Sequence, residues 1–200
     1  GRLQVGPESA GANPGPACYG KYGPLTVTDS NLITGRINSS LFPKSFGLKG
    51  NSKISFYKSE KLFKKLEDKI GKPIEEIAEG FLSVADNNMA EAIKKISVQK
   101  GHHLNEYCLT VFGGAGGQHA CSIAEILEIK TCLIHPRASV LSAYGMGLAE
   151  LRTNKSILIE KAFNRDTLLE ASFLADTLMT KTMEHLEKQG VNEQDISFNT

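Results

Sequence analysis

The chain has 200 residues, 40% of them hydrophobic and 22% charged, with a formal net charge of +1. This is the composition of a globular protein with enough apolar material for a core. It leaves no global field to draw in nucleic acid or an anionic membrane, and no apolar run approaches the roughly 18 residues of a membrane span.

Gly1 to Val5 opens inside a predicted strand, and Ile196–Phe198 closes in another. Both ends read as those of a piece of a longer chain. Gly6 to Pro24, GPESAGANPGPACYGKYGP, holds too many glycines and prolines for a helix or a central strand. Its Glu8, Ser9, Asn13, Cys18 and Tyr19 set it apart from a Gly/Ser linker and predict an ordered loop. A short strand is expected at Leu25–Val27, then a short helix to Arg36 capped by Thr28 or Asp29. Residues 38–51 are polar and turn-rich.

Ser59 is a candidate cap for a helix that carries Leu62, Phe63, Leu66 and Ile70 on one face, with Gly71 closing it. Pro73 fits the first turn of a long helix whose apolar positions run from Ile74 to Ile96, with Gly101 as its stop. Asp86, Asn87 and Asn88 interrupt that helix, and Asn88 lies near its apolar face.

The next stretch, Tyr107–Cys121, organises the chain. An apolar run, Tyr107–Phe112, breaks into Gly113, Gly114, Ala115, Gly116 and Gly117. Ala120, Ile123, Ala124 and Leu127 then repeat at helical spacing. Strand, glycine loop and helix bring a backbone close to a ligand, because glycine has no Cβ and a helix start offers unpaired N–H groups. Gln118 and His119 stand where a Walker loop needs Lys and Ser or Thr, and His119 falls on the third glycine of a dinucleotide fingerprint. A nucleotide loop of neither type is one reading; a glycine-rich turn with close strand–helix packing is the other.

Further strands are expected at 130–134 and 155–160, with a helix over 139–151 between them. A last helix is expected after Thr167, burying Leu168, Ala171, Ala175, Leu178 and Leu186. Strands alternating with helices predict an α/β fold. The chain divides into a loop-rich segment at 1–58, a helical segment at 59–104 and an α/β segment at 105–200.

The four cysteines, Cys18, Cys108, Cys121 and Cys132, form no C-x-x-C pair, and a reducing, cytoplasmic setting is expected. Cys18, Asp29 and His119 are ligand-type residues in or beside irregular loops. Together they are a candidate site for zinc or a related divalent ion. Separately, they serve as a packed thiol, a helix cap and a first-turn residue. No G-x-S-x-G elbow is present, and no catalytic set can be assembled from the sequence.

Three stretches carry a resemblance. VGPESAGANPGPACYGKYGPLTVTDSNLITGRI (5–37), VFGGAGGQHACSIAEIL (111–127) and VLSAYGMGLAE (140–150) together resemble the hydantoinase/oxoprolinase family, in its hydantoinase A type chain. The resemblance implies part of an actin-like ATPase (ribonuclease H-like) fold with a helical insert. Gly113–Gly117 looks like its adenosine loop, which implies ATP with magnesium. It implies an enzyme that opens a cyclic amide such as hydantoin or 5-oxoproline, working with a hydantoinase B type subunit or domain. An ATP-dependent ketone carboxylase subunit and a non-catalytic nucleotide-binding or assembly module are the alternatives. The family's phosphate motifs of type GGTxTD are absent from this sequence, so the 200 residues alone are expected to be inactive.

Overall fold

A computed structural model describes residues 3–199, the side chain of Val98 excepted. Gly1 and Arg2 of the predicted first strand lie outside the described residues, and Leu3–Val5 take no regular structure. The chain forms two compact units, one running to Tyr144 and one from Gly145.

The first unit begins with the glycine- and proline-rich loop, which folds back on itself. Ala17 N–H donates to Pro24 O at 2.9 Å. A Cβ on Gly23 would lie 1.7 Å from Gly15 O, so two backbones touch where only glycine fits. Helix α1 is Val27–Ile33. Residues 25 and 26 are not a strand: Thr26 is the cap, with Asp29 completing a reciprocal capping box. Helix α2 is Phe56–Ile70, capped by Ser55, one turn earlier than Ser59 predicts. Ser59 lies inside the helix and fully buried, because its hydroxyl is needed elsewhere. Helix α3, Ile74–Val98, starts after Pro73.

The glycine-loop strand, β1, is Cys108–Val111. Helix α4 is Ala120–Ile126, and strand β2 is Thr131–Ile134. The two strands pair in parallel, Cys108 opposite Thr131 and Val111 opposite Ile134. Parallel neighbours need a crossover, and α4 is that crossover.

Three small clusters hold the first unit. Phe63 and Ile77 centre one between α1, α2 and α3. Ala90 on α3 packs against Ile123, Ala124, Leu127 and Ile129 in another. Cys18, Leu32, Ile37 and Ile54 form the third, under the loop. The four apolar positions read from the sequence of α4 are all buried.

Helix α5, Leu141–Leu148, follows. In the second unit, α6 is Arg165–Glu187, with Asn164 accepting from Thr167 N–H at 2.9 Å as the cap. Glu170 of this helix binds Lys161. Leu186 is buried, while Leu168 stays exposed. The expected strand at 155–160 is not formed. Its residues alternate, but a strand exists only through ladder bonds, and none reaches this segment among the described residues. Residues 196–198 are likewise irregular. No helix among the described residues is long and apolar enough to cross a membrane.

Candidate functional site

The glycine loop leaves β1 at its carboxyl end, as binding loops do in parallel α/β units. Gly113 has φ +91°, a left-handed value that favours glycine, and its N–H donates to Ala138 O at 2.8 Å. Gly116–Gln118 form a single 3₁₀ turn, and α4 follows. A Cβ on Gly114 or Gly117 would meet nothing within 4 Å, whereas one on Gly116 would press on Val111 Cγ1 at 3.0 Å. The protein's own packing therefore crowds a side chain at 116 and leaves open space over 114 and 117. All five predicted loop residues, Gly113, Gly114, Ala115, Gly116 and Gly117, lie together in one exposed turn.

His119 does not face that space as a free ligand. It is buried, and both ring nitrogens are taken. Nδ1 lies 2.6 Å from Asp86 Oδ1, and Nε2 lies 3.3 Å from the Asn31 amide nitrogen. The carboxylate fixes the tautomer, with Nδ1–H donating to Asp86 and Asn31 Nδ2–H donating to Nε2. Asp86 is 2% exposed. Its other oxygen lies 3.6 Å from Arg36 Nη1, which also donates to Gln118 O at 2.9 Å. Asn31 Oδ1 is buried without a hydrogen-bond partner.

Asp29 anchors a second centre, on the other side of α1. Its carboxylate accepts five hydrogen bonds, from Ala17 N–H, Cys18 N–H, Thr26 N–H, Thr26 Oγ1 and Ser59 Oγ. The shortest is the one from Ser59, at 2.6 Å. Such a set gives hydrogen-bond partners to both oxygens of a fully buried carboxylate. Cys18 is fully buried beside it. Burial pushes its thiol well above the usual range, and the Asp29 charge pushes it further. Burial, then Cys18 and Asp29, also raises Tyr19. Cys18 is thus a neutral packed thiol, the opposite of an activated nucleophile.

The candidate metal set of Cys18, Asp29 and His119 is therefore not assembled. The structure brings Cys18 and Asp29 together and leaves His119 with Asp86 and Asn31. Asp29 and Asn31 stand two residues apart on α1, about 200° around the helix, so their partners gather on different faces of it. Both carboxylate oxygens of Asp29 are occupied by donors. Among the described residues, no three His, Cys, Asp or Glu side chains group to hold a metal.

Four contributors escaped the sequence reading: Asn31, Arg36, Ser59 and Asp86. The signal for Asp86 was present, as a carboxylate in a polar break of an otherwise amphipathic helix. Asn88, which the spacing placed near the apolar face, is exposed. Beside Asp29, the loop, α1, α2 and α3 bound a cavity of about 600 Å³ with Glu8, Ser9 and Thr28 on its polar side and Phe63 and Phe81 on its apolar side.

The family model described as hydantoinase/oxoprolinase matches residues 1–155. The chain is 37% identical over 212 residues to 5-oxoprolinase 1 of Arabidopsis thaliana, covering 100% of this chain and 17% of that protein. It is 38% identical over 154 residues to caprolactamase subunit alpha of Pseudomonas jessenii, covering 76% and 21%. A crystal structure of the ATP-dependent caprolactamase of that organism superposes with a TM-score of 0.66 at 30% identity, over 91% of this chain and 27% of the other. Nucleotide-free acetone carboxylase superposes with a TM-score of 0.74 over 97% of this chain and 28% of the other; at 23% identity that likeness shows the fold alone. The chain spans about a sixth of the length of the first curated relatives it matches, 16% to 17%. With a strand–glycine-loop–helix unit and a glycine- and proline-rich loop fastened on Asp29, the chain belongs to the hydantoinase/oxoprolinase family.

Proposed function

We propose that this chain is part of an ATP-dependent hydrolase that opens a cyclic amide, and that it carries the adenosine side of an actin-like ATPase core. The observation that carries this reading is the open space over Gly114 and Gly117, at the carboxyl end of a parallel strand, where the fold itself does not require glycine. A flat ring system lies against a backbone that carries no side chain there. The residues present fit that half of a nucleotide. The acidic phosphate motifs that would hold magnesium are absent from these 200 residues. A zinc-type site on Cys18, Asp29 and His119 forms no part of the proposal.

Bound ATP supplies phosphoryl transfer, which makes an amide carbonyl electrophilic. The chain's own residues do the holding. Gly113–Gly117 receives the nucleoside. Asp29 fixes the backbone of Ala17 and Cys18 and so shapes the loop at the cavity of about 600 Å³, a volume suited to a small molecule. 5-Oxoproline and caprolactam, from which the relatives take their names, are both cyclic amides. The designation of one relative as subunit alpha supports a second, hydantoinase B type subunit or domain as partner.

The test is ADP release by the full-length protein, with its partner, in the presence of 5-oxoproline, hydantoin or caprolactam. We expect one cyclic amide to stimulate release in step with ring opening. No stimulation by any of the three would overturn the hydrolase reading. In the same protein, Gly114→Val fills the open space, starting from a Cβ that meets nothing within 4 Å, and should abolish ATP binding at an unchanged melting temperature.

A further inference from the structure

The buried charge at the foot of the glycine loop has no role in the function proposed above. Asp86 is almost wholly inside, with His119 and Arg36 on its two oxygens. Burying a carboxylate is costly even when it is paired, and apolar residues of the same volume often give the more stable fold. Stability alone is a poor reason for this group to stand there. Its location is more informative. Gln118 and His119 are consecutive and leave the glycine turn together. Arg36 Nη1–H holds the carbonyl of the first, and the Asp86 carboxylate holds the ring of the second. Asn31 on α1 closes the far side of that ring. At the other end of the turn, Gly113 is fixed to Ala138. Between these anchors no residue has a side chain larger than a methyl group.

We infer that Asp86, acting through His119 and Arg36, is a positioning group for the adenine nucleotide. It sets the place at which the backbone of residues 114–117 meets the ligand, without touching the ligand itself. The inference rests on the adenosine reading of the loop and extends it to three residues on other elements. The carboxylate works as a rigid bracket: one oxygen orients the imidazole of His119, and the other faces the Arg36 guanidinium, which holds the carbonyl of the adjacent Gln118. Placement errors of about 1 Å at a site are costly, so loosening the bracket should weaken binding even though the loop sequence is intact.

The experiment titrates ADP into the full-length protein by calorimetry, with melting temperature and steady-state ATP kinetics recorded for each variant. Asp86→Asn keeps the shape and removes the charge. Arg36→Gln removes the guanidinium from a side chain that is about one-third exposed, so it keeps the test alive if Asp86→Asn does not fold. Both should raise the ADP Kd and the KM for ATP by about tenfold and leave kcat at saturating ATP near the wild-type value. Arg36→Gln should do so with little change in melting. Their effects should not multiply in the double variant, because both act through one bracket. Gly114→Val is the companion variant. If it binds ADP normally, the adenosine reading fails and takes the inference with it. If it abolishes binding while Arg36→Gln and folded Asp86→Asn bind as wild type, the positioning role is overturned and the loop assignment stands. A rise in Kd that merely follows lowered melting would also overturn the positioning role.

Discussion

Asp29 shows how one side chain organises the chain from Ala17 to Ser59. It ends a capping box locally and receives two loop N–H groups and a hydroxyl from α2, so three segments meet on two oxygen atoms. Ser59→Ala removes one buried hydrogen bond and should lower stability by about 1–3 kcal/mol; an unchanged denaturation midpoint would contradict that account. The thiol beside it gives a pH prediction. A raised Cys18 stays protonated in the folded chain where the unfolded chain has lost its proton. Its contribution is therefore complete below the unfolded value near 8.5 and declines as pH rises above it. Melting temperature should fall from about pH 8.5 upward, and Cys18→Ala should flatten that slope. Site-resolved alkylation should label exposed Cys108 and Cys121 well before Cys18.

At the level of elements, the loop of residues 6–24 depends on contact between its own backbones. Gly23→Ala would drive a methyl group into Gly15 O. We expect a loss of about 1–3 kcal/mol together with faster alkylation of Cys18, read by denaturation and mass spectrometry. Much of the element pattern was legible in the sequence, because β1, α4 and β2 are set by local periodicity and by glycine. The α4 face from Ala120 to Leu127 is the clearest case. What escaped is non-local. Ser59 sits where a cap is expected, but its hydroxyl is drawn 30 residues back to Asp29. His119 has the look of a metal ligand, yet its ring is claimed by Asp86, 33 residues away on α3. The segment at 155–160 alternates like a strand, but periodicity cannot supply a partner.

At the scale of the whole chain, order is uneven. The stretch from Leu151 to Glu160 is irregular and largely exposed, and it carries Arg152 and Lys155. Limited trypsin digestion should cut there first, since exposed backbone outside helices and ladders fits a protease cleft. Early cleavage inside α3, which carries Lys94 and Lys95, would contradict the fold.

The sheet consists of two strands among the described residues, β1 and β2, and each is paired along one side only. Each therefore presents a free rim of main-chain donors and acceptors to whatever approaches. Beside those rims Phe112, Leu133 and Ile134 are more than half exposed. A bare rim flanked by apolar side chains is a template for strand addition between molecules. Expressed as 200 residues, the polypeptide should grow into β-rich assemblies with concentration. Light scattering would follow their growth, and Leu133→Lys, which sets a charge on the strand, should slow it.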